Sequence, residues 1–187
     1  AWGVHHFDIM QWAMGVKWPK SVVGMGNMHA FGDNREWPDT FNGILEYGPC
    51  PMAERGFSVQ YTCRMGARRD FRAHCKCFFG SEASLILDRS GYTITPEPRK
   101  KGEEESYRSP SDASHQQAFL NAIRDRKQPA ADVENGHYST NACHLMNVSW
   151  LAGRRIEWDG EKEQVVGDPE ANAFVDKPYR APWKLEV

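Results

Sequence analysis

The chain has 187 residues, with 23 Lys+Arg against 25 Asp+Glu and a formal net charge of -2. That balance excludes nucleic-acid binding driven by bulk charge, because no basic excess exists to displace phosphate counterions. Hydrophobic residues make up 40% and aromatic residues 12%, enough for a buried core, and no apolar run reaches the roughly 20 residues of a membrane-crossing helix.

In chain order, residues 5–15 read as a helix with Phe7, Met10, Gln11 and Met14 on one stripe, stopped by Gly15 and Pro19. Residues 21–31 read as a strand, and 33–38 as a polar loop. Phe41, Gly43, Leu45 and Tyr47 alternate with more polar residues until Gly48-Pro49-Cys50-Pro51 breaks the pattern. Phe57, Val59, Tyr61 and Cys63 alternate cleanly, as do Phe71, Ala73, Cys75, Cys77 and Phe79. Shorter strands at 83–88 and 92–95 flank the turn Arg89-Ser90-Gly91. Consecutive strands with short turns imply antiparallel pairing, with one packed face and one wet face.

Residues 96–110 are dense in charge with no apolar period, and read as a solvated loop. A helix follows: Ser114 and Gln117 fit a capping box, and Ala118, Phe119, Ala122 and Ile123 form its stripe. Residues 134–151 make a longer helix, with Cys143, Met146, Trp150 and Leu151 on one side and Gly153 at its end. Residues 154–158 are a short strand before the turn Asp159-Gly160. Asp168 caps a last short helix that has Pro169 at its first position. The tail 179–183 reads as extended. The sum is a single α+β domain over residues 1–187, an open and mostly antiparallel sheet with helices packed on one face.

Several motifs invite a chemical reading. Val22-Val23-Gly24-Met25-Gly26 looks like a strand entering a dinucleotide turn. Such a turn needs a helix whose N-terminus holds the pyrophosphate, and residues 31–38 have no helical period and end in Pro. A plain strand with small residues is expected instead. His74-Cys75-Lys76-Cys77 suggests a soft metal, yet Cys75 and Cys77 share a strand face that His74 does not. The spacing of one residue, with no second pair, fits core thiols better than zinc. No metal site is therefore expected, and a metal or thiol domain is the alternative. No nucleophile elbow, phosphate loop or His-Glu-x-x-His occurs. Five cysteines, an odd number, favour free thiols and a reducing, cytoplasmic setting. Asn147-Val148-Ser149 is a sequon within a helical pattern and is read as chance.

Gly3-Val4-His5-His6-Phe7-Asp8 is the most informative segment. His5 and Asp8 are three apart and share a helix face near its start. An imidazole beside a carboxylate suits proton shuttling near neutral pH, with capping or packing as the alternative role.

Gly3-x-His5-x-x-Asp8 with Trp12, Gly15 and Pro19-x-x-Val22 resembles the start of the C-terminal domain of the glucose-fructose oxidoreductase / inositol dehydrogenase / rhizopine catabolism (Gfo/Idh/MocA) family. Gly80-Ser81-Glu82-Ala83 with Leu85 and Leu87 is similar to its glycine-rich hairpin. His115-x-x-x-Phe119-Leu120-x-Ala122-Ile123-Arg124, Pro129 and Val133-Glu134-x-Gly136 resemble its helix pair. Gly153-Arg154-x-Ile156-x-Trp158-Asp159, residues 167–172 from Gly167 to Asn172, and Tyr179-Arg180-x-Pro182-Trp183 resemble its bacterial-type tail. Together these cover nearly the whole chain in order.

The resemblance implies the substrate-side, glyceraldehyde-3-phosphate-dehydrogenase-like domain of an oxidoreductase that uses NAD or NADP on a sugar, polyol or related alcohol. It implies that the cofactor is held mainly by an N-terminal Rossmann domain, which this chain lacks and which also supplies a catalytic Lys. The family's catalytic His falls on His5, and its following Asp on Asp8. Its catalytic Asp falls on Ala1, a departure that leaves a non-catalytic carbohydrate-binding or oligomerisation domain as the alternative. No partner nucleic acid or membrane is expected. The sheet face is expected to join copies into a homo-oligomer, with Phe57, Tyr61, Phe71 and Phe79 as candidates for either core or interface.

Overall fold

The computed structural model describes residues 2–67, 74–108, 114–176 and 179–184. The elements in order are α1 (Gly3–Met14), β1 (Ser21–Asn27), β2 (Thr40–Tyr47), β3 (Phe57–Arg64), β4 (Lys76–Phe79), β5 (Ala83–Asp88), β6 (Gly91–Pro96) and β7 (Glu105–Arg108). Then come α2 (His115–Asp125), α3 (Val133–Ala152), β8 (Ile156–Asp159), β9 (Gln164–Val165) and α4 (Pro169–Asn172). The architecture is α+β, and every strand pair is antiparallel. The strands form two sheets rather than one, and the chain divides into two compact units: residues 1–66 with 133–187, and residues 67–132.

The first unit holds a five-stranded sheet in the order β3-β2-β1-β8-β9. In β2 the side chains of Phe41, Leu45 and Tyr47 are buried while Asn42, Ile44 and Glu46 are exposed, the alternation of a half-covered sheet. The register brings Val59 opposite Leu45 and Phe57 opposite Tyr47. Phe57 and Tyr61 therefore lie on the covered face: Phe57 stacks on Tyr47 at 5.0 Å and Tyr61 meets Phe7 at 5.9 Å. The uncovered face carries Ser58, Gln60, Thr62, Asn42 and Glu46 with Ile44 and Met25. It is more polar than an apolar interface sheet would be.

Helices α1 and α3 supply the cover. Phe7, Val22, Leu45 and Ile156 are at most 2% exposed, and full burial of such a side chain contributes about 1.5–3 kcal/mol. Glycines let α3 come close. A β-carbon on Gly24 would collide with the Met146 carbonyl, and one on Gly43 with the Met146 sulfur. The glycines of the 22–26 segment thus serve helix packing, and β1 runs on to Asn27 and into a loop with no helix after it. Ser149 pins the contact: its hydroxyl accepts from the Gly24 N–H (2.9 Å) and donates to the Arg154 carbonyl (2.7 Å).

The second unit is an antiparallel sheet, β4-β5-β6-β7, with α2. Strand β7 lies in the charged stretch read above as a loop. It is an exposed edge strand, held by main-chain pairing to β6 and by the Tyr92–Tyr107 stack at 5.4 Å. Charge suits an edge, which must resist further pairing, so no apolar alternation marked it. Ser114 caps α2 by accepting from the Gln117 N–H, but the Gln117 side chain donates to Asn121 rather than closing the capping box. Phe79 is 80% exposed, and Phe71 and Ala73 lie outside the described residues. The tail is not fully extended: the Trp183 N–H closes a turn onto the Arg180 carbonyl at 3.0 Å. Among the described residues, no helix is long and apolar enough to cross a membrane.

Candidate functional site at the start of the first helix

The first turn of α1 is seated through Gly3. A β-carbon there would stand 2.9 Å from the Cys143 sulfur and 3.4 Å from the Tyr61 ring. Only a glycine lets the helix start rest on α3 and β3 at once. Below it, Tyr61 meets His6 edge-on at 6.4 Å and Phe7 at 5.9 Å. Burial holds the Tyr61 hydroxyl well above the ordinary phenol range, and Cys63 and Cys143 add to the effect. Burial likewise pushes the Cys143 thiol up to about 11. Both groups stay protonated near neutral pH, so this floor is uncharged and neither residue is a base or a nucleophile there.

The sequence-selected pair lies on the other side of the same turn. His5 and Asp8 are both exposed, and they are not hydrogen-bonded to each other, so proximity rather than an ion pair relates them. Trp2, 58% exposed, sits with its ring 5.8 Å from that of His5. Its place one turn before His5 was visible in the sequence, but nothing there marked it as a neighbour of a candidate catalytic group. Trp2 is also the N-cap, with no side-chain cap bond. Ala1, where the resembled family has its Asp, lies outside the described residues.

The other end of α1 is held by Gln11, 6% exposed. Its amide donates to the Lys17 carbonyl (2.8 Å), the Tyr138 carbonyl (3.3 Å) and the Tyr47 hydroxyl (3.4 Å). A further anchor escaped sequence reading. Asp39 is fully buried, and its carboxylate accepts from the N–H groups of His29, Ala30 and Phe31 at 2.9–3.0 Å and from the Thr40 hydroxyl at 2.8 Å. The one signal was an acidic residue standing directly before a strand.

Cys75 and Cys77 gather no further ligands: among the described residues, no three His, Cys, Asp or Glu side chains converge as a metal site would need. All five cysteines are free thiols.

Residues 98–185 match a family model described as "Oxidoreductase family, C-terminal alpha/beta domain", of the Gfo/Idh/MocA type. The matched stretch is somewhat under half of the chain and is similar to the C-terminal domain of Gfo/Idh/MocA oxidoreductases. Solved structures share its fold. A Thermotoga maritima protein assigned to the oxidoreductases superposes with a TM-score of 0.64 at 14% identity, over 83% of this chain and 45% of that one. UDP-N-acetylglucosamine 3-dehydrogenase GnnA from Acidithiobacillus ferrooxidans gives 0.59 at 17% identity, over 80% and 46%. The WlbA dehydrogenase from Bordetella pertussis, in complex with NADH and UDP-GlcNAcA, gives 0.50 at 17% identity, over 84% and 43%. The chain thus spans somewhat under half the length of each, and at these identities the likeness speaks for the fold. No curated protein sequence matches the chain.

Proposed function

We propose that this chain is the substrate-side domain of a NAD(P)-dependent oxidoreductase acting on a sugar, polyol or related alcohol. The observation that carries the reading is the first turn of α1, where exposed His5 stands beside Trp2 and shares the turn with Asp8, on a helix seated by Gly3 against Tyr61 and Cys143. Two of the proteins with this fold are named as dehydrogenases, one with NADH and a UDP-sugar bound.

In this reading His5 takes up the proton that leaves a substrate hydroxyl, and Asp8 stabilises the resulting imidazolium from one turn on. A positioned base of this kind is worth about 10²- to 10⁴-fold in rate. Trp2 supplies an apolar wall beside the imidazole. The described residues do not fit a dinucleotide: Gly24 is closed off by Met146, and no helix start follows β1. NAD or NADP, and the catalytic Lys, accordingly belong to a separate N-terminal domain. The helix-free face of the five-stranded sheet, mostly polar but with Ile44 and Met25 exposed on it, joins copies of the protein through a polar rather than an apolar contact, and the free thiols suit a cytoplasmic setting.

The test uses full-length protein that contains this chain, assayed for NAD(P)+ reduction over a panel of sugars and polyols. His5→Ala is expected to lower kcat/KM by about 10²- to 10⁴-fold. Unchanged turnover in His5→Ala would sink the assignment. A monomeric mass by light scattering would remove the role given to the sheet. Ala1 favours one second reading, a non-catalytic carbohydrate-binding or oligomerisation domain. Sugar binding without turnover of any alcohol in the panel would select it.

A further inference from the structure

Three side chains that can ligate a metal converge on the flank of α3. His137 and Asn141 lie one turn apart on that helix and so share a face. Glu163 reaches them from the turn between β8 and β9. The His137 Nε2 stands 2.5 Å from the Glu163 Oε1 and 2.9 Å from the Asn141 amide, and that amide stands 3.5 Å from the same carboxylate oxygen. The triangle is open to water, with the His137 and Glu163 side chains each 45% exposed. Its backbone is well held. The Asp159 Oδ1 accepts from the N–H groups of Glu161 and Lys162 at 3.1 Å each, and Glu163 itself takes a left-handed φ of 50°, which a β-carbon disfavours. Glu163 is 26 and 22 residues along the chain from His137 and Asn141, so no local motif marks the group.

Hydrogen bonding alone serves this trio poorly. A ring nitrogen offers either one N–H or one lone pair. With a lone pair, Nε2 accepts from Asn141 but then faces the carboxylate oxygen at 2.5 Å. With an N–H, it donates to Glu163 and meets the Asn141 amide donor to donor, unless the amide turns over and one N–H is shared between two oxygens. Neighbouring cations do not relieve the carboxylate. Lys17, over the Tyr138 ring, is held by Glu134 at 2.6 Å, and Lys162 is held by Asp159 at 3.3 Å.

A divalent cation removes the conflict, because it takes three lone pairs at once. Imidazole and carboxylate ligands bind at about 2.0–2.2 Å, so adjacent ligand atoms stand roughly 3 Å apart. The observed sides of 2.5, 2.9 and 3.5 Å bracket that spacing. An imidazole in the set suits a transition metal better than magnesium or calcium.

We propose that His137, Glu163 and Asn141 bind a divalent first-row transition-metal ion through Nε2, Oε1 and the amide oxygen, fastening the β8–β9 turn to α3. The site does not use His5 and stands apart from the oxidoreductase reading.

The test is calorimetric titration of the reduced 187-residue chain with NiCl2, with backbone NMR alongside. One equivalent should bind with a Kd on the order of 10–100 μM, and paramagnetic Ni²⁺ should broaden the amides of residues 137–141 and 161–164 first. His137→Ala and Glu163→Gln should each weaken binding at least about tenfold. Both side chains are exposed, so neither change threatens folding. Asn141→Asp, which adds a second carboxylate, should tighten binding severalfold, an effect that a hydrogen-bonding role alone would not give. His144→Ala, on the same helix, should leave it unchanged. A Kd weaker than about 1 mM overturns the proposal. So does binding that survives His137→Ala undiminished, or that vanishes in Cys75→Ser/Cys77→Ser, because the ion would then sit elsewhere.

Discussion

Gly24 has no room for a β-carbon, because the main-chain carbonyl of Met146 already stands where it would go. Gly43, its partner across the β1–β2 ladder, is closed off by the same residue but by the thioether instead. Backbone cannot yield and a flexible side chain can, so the two glycines should respond differently to one methyl group. Overpacking typically costs about 1–3 kcal/mol, and Gly24→Ala is expected at or above the top of that range. Gly43→Ala should fall lower, and combining it with Met146→Ala should recover part of the loss as a favourable coupling energy. Denaturant melts of the single and double variants check this. Equal coupling of Met146→Ala to both glycine variants would contradict the distinction.

Asp39 links the fold to pH. Burial by itself would raise its pKa, but the three loop N–H groups and Thr40 more than reverse that, and the carboxyl ends far below its ordinary value of 3.8. A depressed folded pKa means that the anion contributes stability above the unfolded value, and that this is lost as pH falls through the folded one. Wild-type stability should therefore decline with acidification from 3.8 downward. Asp39→Asn should be less stable near neutral pH and show a flatter acid limb. Superimposable pH–stability curves for the two proteins would show that the carboxylate does not hold the loop.

The Cys143 thiol, raised from 9.0 to about 11 by burial, should be a poor nucleophile. Two pKa units mean about a hundredfold less thiolate near neutral pH. In mass-spectrometric mapping of alkylation, Cys143 of the native protein should react at least about a hundredfold more slowly than in the unfolded chain. Its rate should climb as pH approaches 11. Labelling at the unfolded rate would show that the floor under Gly3 is open to solvent.

Helix α2 contains no buried residue, so its start leans on local bonding. Removing the hydroxyl that accepts from the Gln117 N–H should cost about 1 kcal/mol in that helix. Ser114→Ala is expected to speed hydrogen exchange at Gln117 and its neighbours while leaving α3 amides unchanged. Uniform loss of protection in both helices would contradict a local role.

The sequence disclosed what period and punctuation encode. Alternation at 57–63, the Gly15 stop and the Asp168-Pro169 start all match the observed β3, α1 and α4. It concealed what depends on partners far along the chain. Strand β7 is defined by the main chain of β6, not by its own side chains. The division into two sheets follows from pairings that local patterns do not state. At the candidate site, residue spacing was enough to select His5 and Asp8, but their lack of a mutual hydrogen bond and the Trp2 neighbour belong to rotamers. Asp39 escaped notice because a buried carboxylate and a surface one look alike in a string of letters.

The two mountings of α1 have a mechanical consequence. Gly3 bears on Tyr61 and Cys143 at one end, and Gln11 is fastened to three acceptors at the other. Between them the helix behaves as a beam on two supports, with His5 close to the first. Loosening the support at Gln11, eight residues and about 12 Å from Gly3, would let the beam pivot about its near bearing. The imidazole would then change its aim more than its position. Damage at this distant joint would be felt at His5 as misdirection, in a protein whose core had barely moved.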